Sequence, residues 1–224
     1  MNPLLDLRSG LAAILRGIGL YHPLRDRRRA RLFAGRSRLD LAAWEQQGRP
    51  SPPPAAIKHA RIRHHAQRGG AQTLVETGTF YGDTLFALRD DFQSLHSIEL
   101  SPELHRLAGL TLGHLQHIHL HLGDSAVVLP LLLSKLKPPV LFWLDGHFCS
   151  GPSARADRDT SVNSELACLL SRPTGHDVVL IDDARLFDGR NDYPSLESLR
   201  ARVAGHRPKA AFTVKDDIIC IAPV

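Results

Sequence analysis

From Gln72 onward the chain alternates between short apolar runs and helical patterns, and this rhythm sets the fold class. The apolar runs are Thr73–Glu76, Ser94–Glu99, Ile118–Leu122, Val140–Leu144 and Val178–Ile181, most of them with β-branched residues. Helical periodicity falls between them at about 81–92, 101–110, 124–136 and 160–171. Strands joined by short helical crossovers make right-handed βαβ units, which build a parallel sheet covered on both faces. Ser101-Pro102-Glu103 is a helix start, with serine as the cap and proline at the first helical position. The tail changes rhythm: Ala211–Lys215 and Ile218–Ile221 are two strands separated by Asp216-Asp217, a tight hairpin. The expected architecture is α/β, a doubly wound and mostly parallel sheet finished by an antiparallel hairpin.

The first strand runs into a glycine turn, Glu76-Thr77-Gly78-Thr79-Phe80-Tyr81-Gly82. Two glycines let backbone approach a ligand where a Cβ would collide. The helix expected after the turn offers free N–H groups and a positive dipole end. Glu76 at the strand end is unsuited to phosphate, because a carboxylate there prefers a cation or a hydroxyl. The turn therefore favours a ligand carrying an ammonium, a sulfonium or ribose hydroxyls over ATP.

Each of the five strands ends in, or is followed by, an acid: Glu76, Glu99, Asp124, Asp145 and the pair Asp182-Asp183. In an open parallel sheet, ligands bind outside the carboxyl ends of the strands. Carboxylates gathered there without cations would repel one another. Glu99 lies roughly 20 residues beyond the glycine turn, the spacing at which an acid meets ribose hydroxyls in dinucleotide folds. The turn is G-x-x-x-G, not G-x-G-x-x-G, which weakens an NAD reading. Asp124 with Ser125 could meet an adenine amino group, and Asp124 also suits a helix N-cap. Asp145, Asp182 and Asp183 follow two strands expected to be neighbours, and three oxygen ligands so placed suit Mg²⁺ or another divalent cation. His147, two residues past Asp145, is the candidate general base. Cys149 reads as a small packing residue, since no dedicated base accompanies it.

Residues 1–54 form an appendage. Residues 3–19 place Leu4, Leu7, Leu11, Ile14, Leu15 and Ile18 at helical spacing. Pro23 is expected to break that helix. An arginine run follows, from Arg25 to Arg38, and then a short helix from Leu39 to Gln47. Arg49-Pro50-Ser51-Pro52-Pro53-Pro54 is a stiff linker, and Ala55 to Arg68 is a helix stopped by Gly69-Gly70. The net charge of +5 and the arginine run read first as solvated surface. Peripheral membrane or subunit contact through residues 1–38 is the functional alternative. Phe33 is the one aromatic residue in the run, a poor platform for stacking bases, so no nucleic acid is expected. Three scattered cysteines suit a reducing cytoplasm, and no apolar run approaches the roughly 18–20 residues of a membrane span.

The motifs together carry a likeness. Val75-Glu76-Thr77-Gly78-Thr79-x-x-Gly82, Ser97-Ile98-Glu99-Leu100 and Gly123-Asp124-Ser125 resemble the class I S-adenosylmethionine-dependent methyltransferases. Phe142-Trp143-Leu144-Asp145-Gly146-His147 and Leu180-Ile181-Asp182-Asp183-Ala184-Arg185 resemble a bacterial branch similar to the macrocin-type sugar O-methyltransferases. The likeness covers roughly residues 55–224 and implies a Rossmann-like sheet with a seventh, antiparallel strand. It implies that Glu76, Gly78, Thr79 and Gly82 form the S-adenosyl-L-methionine turn, with Glu76 near the methionine amino group. Glu99 would hold the ribose hydroxyls, and Asp124 with Ser125 would approach adenine. It further implies a metal at Asp145, Asp182 and Asp183, although many such enzymes have Asp-Asn where this chain has Asp182-Asp183.

The expected function is metal-assisted O-methylation of a small-molecule or sugar-containing hydroxyl acceptor. One alternative is a metal-dependent nucleotide-sugar transferase, glycosyl or nucleotidyl. Another is a non-catalytic cofactor-binding module whose basic N-terminal region docks to a membrane or partner. The segment Cys149–Thr160 is expected to cover the acceptor, with Arg155 and Arg158 as anion contacts.

Overall fold

The structure is a computed structural model that describes residues 12, 15, 19–146, 161–172 and 175–224. The helix expected over 3–19 therefore lies outside the described residues, apart from isolated positions. So do His147 and the segment 149–160. The chain divides into two compact units, residues 1–48 and 49–224.

Among the described residues of the first unit there is one long helix, α1 (Tyr21–Gln46). The sequence places a break at Pro23 and a separate helix from Leu39, but the helix runs through both. Pro23 sits in its first turn, where a backbone N–H has no intrahelical partner to lose. Arg27, Arg28, Arg31, Arg36 and Arg38 are exposed, and Arg36 pairs with Asp40 one turn on at 3.6 Å. Such exposed pairs contribute little to stability. Among the described residues, no helix is long and apolar enough to cross a membrane.

The second unit is a seven-stranded sheet. Its elements are α2 (Ala55–Gly69), β1 (Thr73–Thr77), α3 (Asp83–Leu88), β2 (Ser94–Glu99), α4 (Pro102–Leu112), β3 (Ile118–Leu122), α5 (Ser125–Leu133), β4 (Val140–Leu144), α6 (Val162–Ser171), β5 (Val178–Ile181), a 3-10 turn (Ala184–Leu186), α7 (Leu196–His206), β6 (Ala210–Lys215) and β7 (Ile218–Pro223). The strand order is β3-β2-β1-β4-β5-β7-β6. The first five strands are parallel; β7 runs antiparallel to both β5 and β6. This is the Rossmann-like, doubly wound sheet with an antiparallel C-terminal hairpin that the sequence predicts. Asp216 and Asp217 both adopt positive φ, as a two-residue hairpin turn of this hand requires.

Two differences have local causes. Helix α3 ends at Leu88 instead of continuing to 92, because Gln93 must already bond Gln72 to enter β2. Helix α7 has no counterpart in the sequence reading, yet Ser195 caps it and Leu199 and Val203 are buried one turn apart.

Strand residues of one parity, Val75, Phe142, Val179 and Ile181, pack with Leu129, Leu166, Leu169, Leu199 and Val203 from α5, α6 and α7. The opposite parity carries Leu74, Leu95, Leu141, Trp143 and Leu180, all buried. Helix α2 packs against β4, β5 and β7. Gly69 at its C-terminal end lies against Val178, where β5 begins: a Cβ there would stand 3.0 Å from Val178 Cγ2. The helix thus runs antiparallel to the strand, which brings its first turns to the strands' carboxyl ends.

Candidate functional site

The parallel strands end nearly level. Thr77 stands beside Ile98 on one side and Leu144 on the other, and Leu144 stands beside Ile181. The sheet reverses its order between β1 and β4, the switch point where an open α/β sheet leaves a crevice. Strand alternation puts Glu76 and Ser97 side by side on one face, with Glu99 next along it. One step past β4 and β5, the same parity belongs to Asp145 and Asp182.

Glu76 is 1 % exposed. Ser97 Oγ donates to its Oε2 at 2.6 Å, and Thr79 Oγ1 lies 2.6 Å from Ser97 Oγ. Burial pushes the Glu76 carboxyl up to about 8; the charges of Asp145 and Glu99 add to the rise, while the Ser97 and Thr84 hydroxyls oppose it. A buried carboxyl so poised gains from the approach of an ammonium, which restores its negative form.

Glu99 is held by two backbone donors. Phe80 N–H donates to Oε2 at 2.8 Å and Ser101 N–H to Oε1 at 2.9 Å. Each oxygen retains capacity for a hydroxyl donor. Phe80 reaches this position with φ +52°, rare for a bulky side chain. Gly78, at φ +85°, is required: a Cβ there would stand 2.5 Å from the Asp145 carbonyl oxygen. The turn after β1 therefore passes directly against the chain leaving β4.

Asp124 caps α5, accepting from Ala126 N–H at 2.8 Å. Its N-cap role is thus present in the structure. The Ser125 and Ser161 hydroxyls donate to Glu165 Oε1 at 2.5 and 2.6 Å. Glu165, on α6 and 1 % exposed, stands outside the sequence expectations. Its signal was an acid on an otherwise apolar stripe of Val162, Leu166 and Leu169.

Lys58 is the second residue the sequence reading passes over. It stands on α2, on the stripe that continues through buried Ile62 and Ala66. Its ammonium pairs with Asp182 Oδ2. Burial lowers the Lys58 pKa, but Asp182, Asp145 and Asp183 together outweigh it and hold the ammonium above its ordinary value. Burial and Asp145 push the Asp182 carboxyl up, and Lys58 pulls it the other way. Asp182 is fully buried, and its Oδ1 has no hydrogen-bond partner among the described residues.

This arrangement disagrees with the expected magnesium triad of Asp145, Asp182 and Asp183. Asp182 accepts from Lys58. Asp183, at φ +57°, accepts from Arg185 at 2.7 Å, and Arg185 also pairs with Asp217. Two of the three proposed ligands thus already face a cation belonging to the chain. Among the described residues, no group of three His, Cys, Asp or Glu is arranged to hold a metal ion. The donor set does not fit a divalent cation. Glu76 and Glu99 are held in place and could offer acceptors to the amino and hydroxyl groups of a methionine-type cofactor.

No protein-family model matches the chain, and no curated protein does. Solved structures share its fold at low identity. The SAH-bound methyltransferase PaMTH1 of Podospora anserina matches with a TM-score of 0.50 at 14% identity, over 75% of this chain and 78% of that one. The O-methyltransferase TomG of Streptomyces achromogenes, involved in tomaymycin synthesis and solved with SAM, matches with a TM-score of 0.50 at 17% identity, over 83% and 88%. A candidate rRNA-methylase of Clostridium thermocellum matches with a TM-score of 0.52 at 15% identity, over 76% and 97%. The chain therefore has the fold of these methyltransferases.

Proposed function

We propose that this protein is an S-adenosylmethionine-dependent methyltransferase acting on the oxygen of a small-molecule or sugar-containing acceptor. The observation that carries the reading is the pair of buried acids at the switch point. Glu76 lies beneath the glycine turn and is ready for an ammonium. Glu99 is fixed by Phe80 and Ser101 for vicinal hydroxyls. The shared fold of SAM- and SAH-bound methyltransferases supports the same ligand.

Bound there, S-adenosylmethionine supplies an activated methyl group on a sulfonium. The chain's part is positioning: Gly78 and Gly82 shape the turn, Glu76 and Glu99 orient the two polar ends, and Asp124 with Ser125 borders the third strand. Alignment of this kind is worth several kcal/mol of barrier. Asp145, with His147 two residues on, supplies the base for the acceptor hydroxyl. With Asp182 and Asp183 paired to Lys58 and Arg185, the edge presents no excess of positive charge to a polyanion such as RNA, so an uncharged acceptor is preferred. The likeness to sugar O-methyltransferases proposes a glycosidic hydroxyl as one such acceptor.

Thermal unfolding with candidate ligands tests the reading. A ligand at about 100 times its Kd adds roughly 2.7 kcal/mol to stability. SAM and S-adenosylhomocysteine should each raise Tm, whereas NAD and a nucleotide-sugar should not. A rise with the nucleotide-sugar alone would replace this reading with a glycosyl or nucleotidyl transferase.

A further inference from the structure

We infer that Lys58 is a tethered cation standing in the position of a divalent ion, so that this acid edge is neutralised by the chain itself and works without metal. Three observations converge on it. The Lys58 ammonium is bonded to Asp182 Oδ2, and Asp145 and Asp183, the other two acids at the ends of β4 and β5, both act on it electrostatically. Asp183 has its own cation in Arg185. Asp182 is buried on all sides and reaches the ammonium because strand parity aims it at the face that α2 covers.

A lysine cannot share that space with a metal ion. An ammonium and a divalent ion a few ångströms apart repel strongly, even at the effective dielectric of a protein surface. Magnesium also demands a near-octahedral oxygen shell; Asp182 Oδ2 is committed to the ammonium, which leaves Oδ1 as the one Asp182 oxygen without a partner among the described residues. The ammonium carries three N–H donors, and one is used on Asp182. The Lys58 side chain is 21% exposed. The remaining donors are available to an acceptor oxygen, which a metal would otherwise bind. That last consequence rests on the methyltransferase reading; the replacement of the ion does not.

Removing the tethered charge should open the site to a true ion. Mn²⁺ binding by electron paramagnetic resonance, on cofactor-free protein, reads this directly. The native chain should bind no Mn²⁺ at this edge, and Lys58→Arg should behave like it. Lys58→Met should gain one Mn²⁺ per chain where the native protein has none, and Asp182→Asn in that background should abolish the gain. Lys58→Gln, which keeps a donor to Asp182, serves if the methionine variant does not fold. Native protein that binds one Mn²⁺ and loses it in Asp182→Asn overturns the inference. So does a folded Lys58→Met or Lys58→Gln chain that gains none. S-adenosylhomocysteine titrated into the same samples reports the methyltransferase reading separately.

Discussion

Replacing Glu76 by glutamine should make the protein more stable and less able to bind its cofactor. The carboxyl lies 1 % exposed, and its pKa rises from 4.5 to about 8 on folding, chiefly through burial. A carboxyl with a raised folded value favours folding only while protonated. Its contribution is complete below about pH 4.5 and is lost as pH rises toward about 8. At about 1.4 kcal/mol per pKa unit, this places on the order of 3 kcal/mol of destabilisation on the native state at pH 7. Glutamine keeps the shape and stays neutral, and the hydroxyls of Ser97 and Thr79 can reverse their donor order to meet its amide. Urea unfolding of both proteins from pH 4.5 to 8.5 should show curves that meet near the acid end and diverge upward. The glutamine variant should lead by about 3 kcal/mol at pH 7. Its affinity for S-adenosylhomocysteine should fall about 10- to 100-fold, the scale of a lost hydrogen bond to a charged group. Parallel pH profiles for the two proteins would refute both the buried, raised carboxyl and the trade of stability for binding.

Two further substitutions separate the site from the scaffold. Gly78→Ala must place a side chain at φ +85° and 2.5 Å from the Asp145 carbonyl. The conformation alone costs roughly 1–2 kcal/mol, and the clash adds to it, so calorimetry should find cofactor binding lost and denaturant unfolding should find stability lowered. Asp177→Ala acts at the opposite end of the sheet. The Asp177 carboxylate accepts from Val140 N–H at 2.9 Å and pairs with Arg172 at 3.1 Å. Its loss removes the carboxylate from the nearly buried Arg172 guanidinium, which keeps its bond to the Leu136 carbonyl, and should cost about 3 kcal/mol, with S-adenosylhomocysteine affinity unchanged in the protein that remains folded.

The sheet was legible in sequence because each strand is short, apolar and followed by a turn signal. Only its terminal residues shift, as in Ala210 and Pro223. The single long α1 was hidden by Pro23, a residue that breaks a helix interior but not a first turn. Helix α7 was hidden because its buried stripe is only Leu199 and Val203, set among charged residues. The acids at the strand ends were visible one by one through strand length. Their partners were not. Lys58 is some 120 positions from Asp182 and meets it only because α2 runs antiparallel to β5. No local pattern carries that contact; the trace in sequence is a lysine heading an otherwise apolar helical stripe. Glu165 was hidden in the same way, since Ser125 comes to it across 40 positions.

The most direct test of the account is a calorimetric titration of S-adenosylhomocysteine into the native chain and into Glu99→Ala. The account predicts one molecule bound per native chain, with release of protons at pH 7 as Glu76 ionises, and binding lost when Glu99 is removed. Absence of binding to a folded native sample, or binding that Glu99→Ala leaves unchanged, would contradict it.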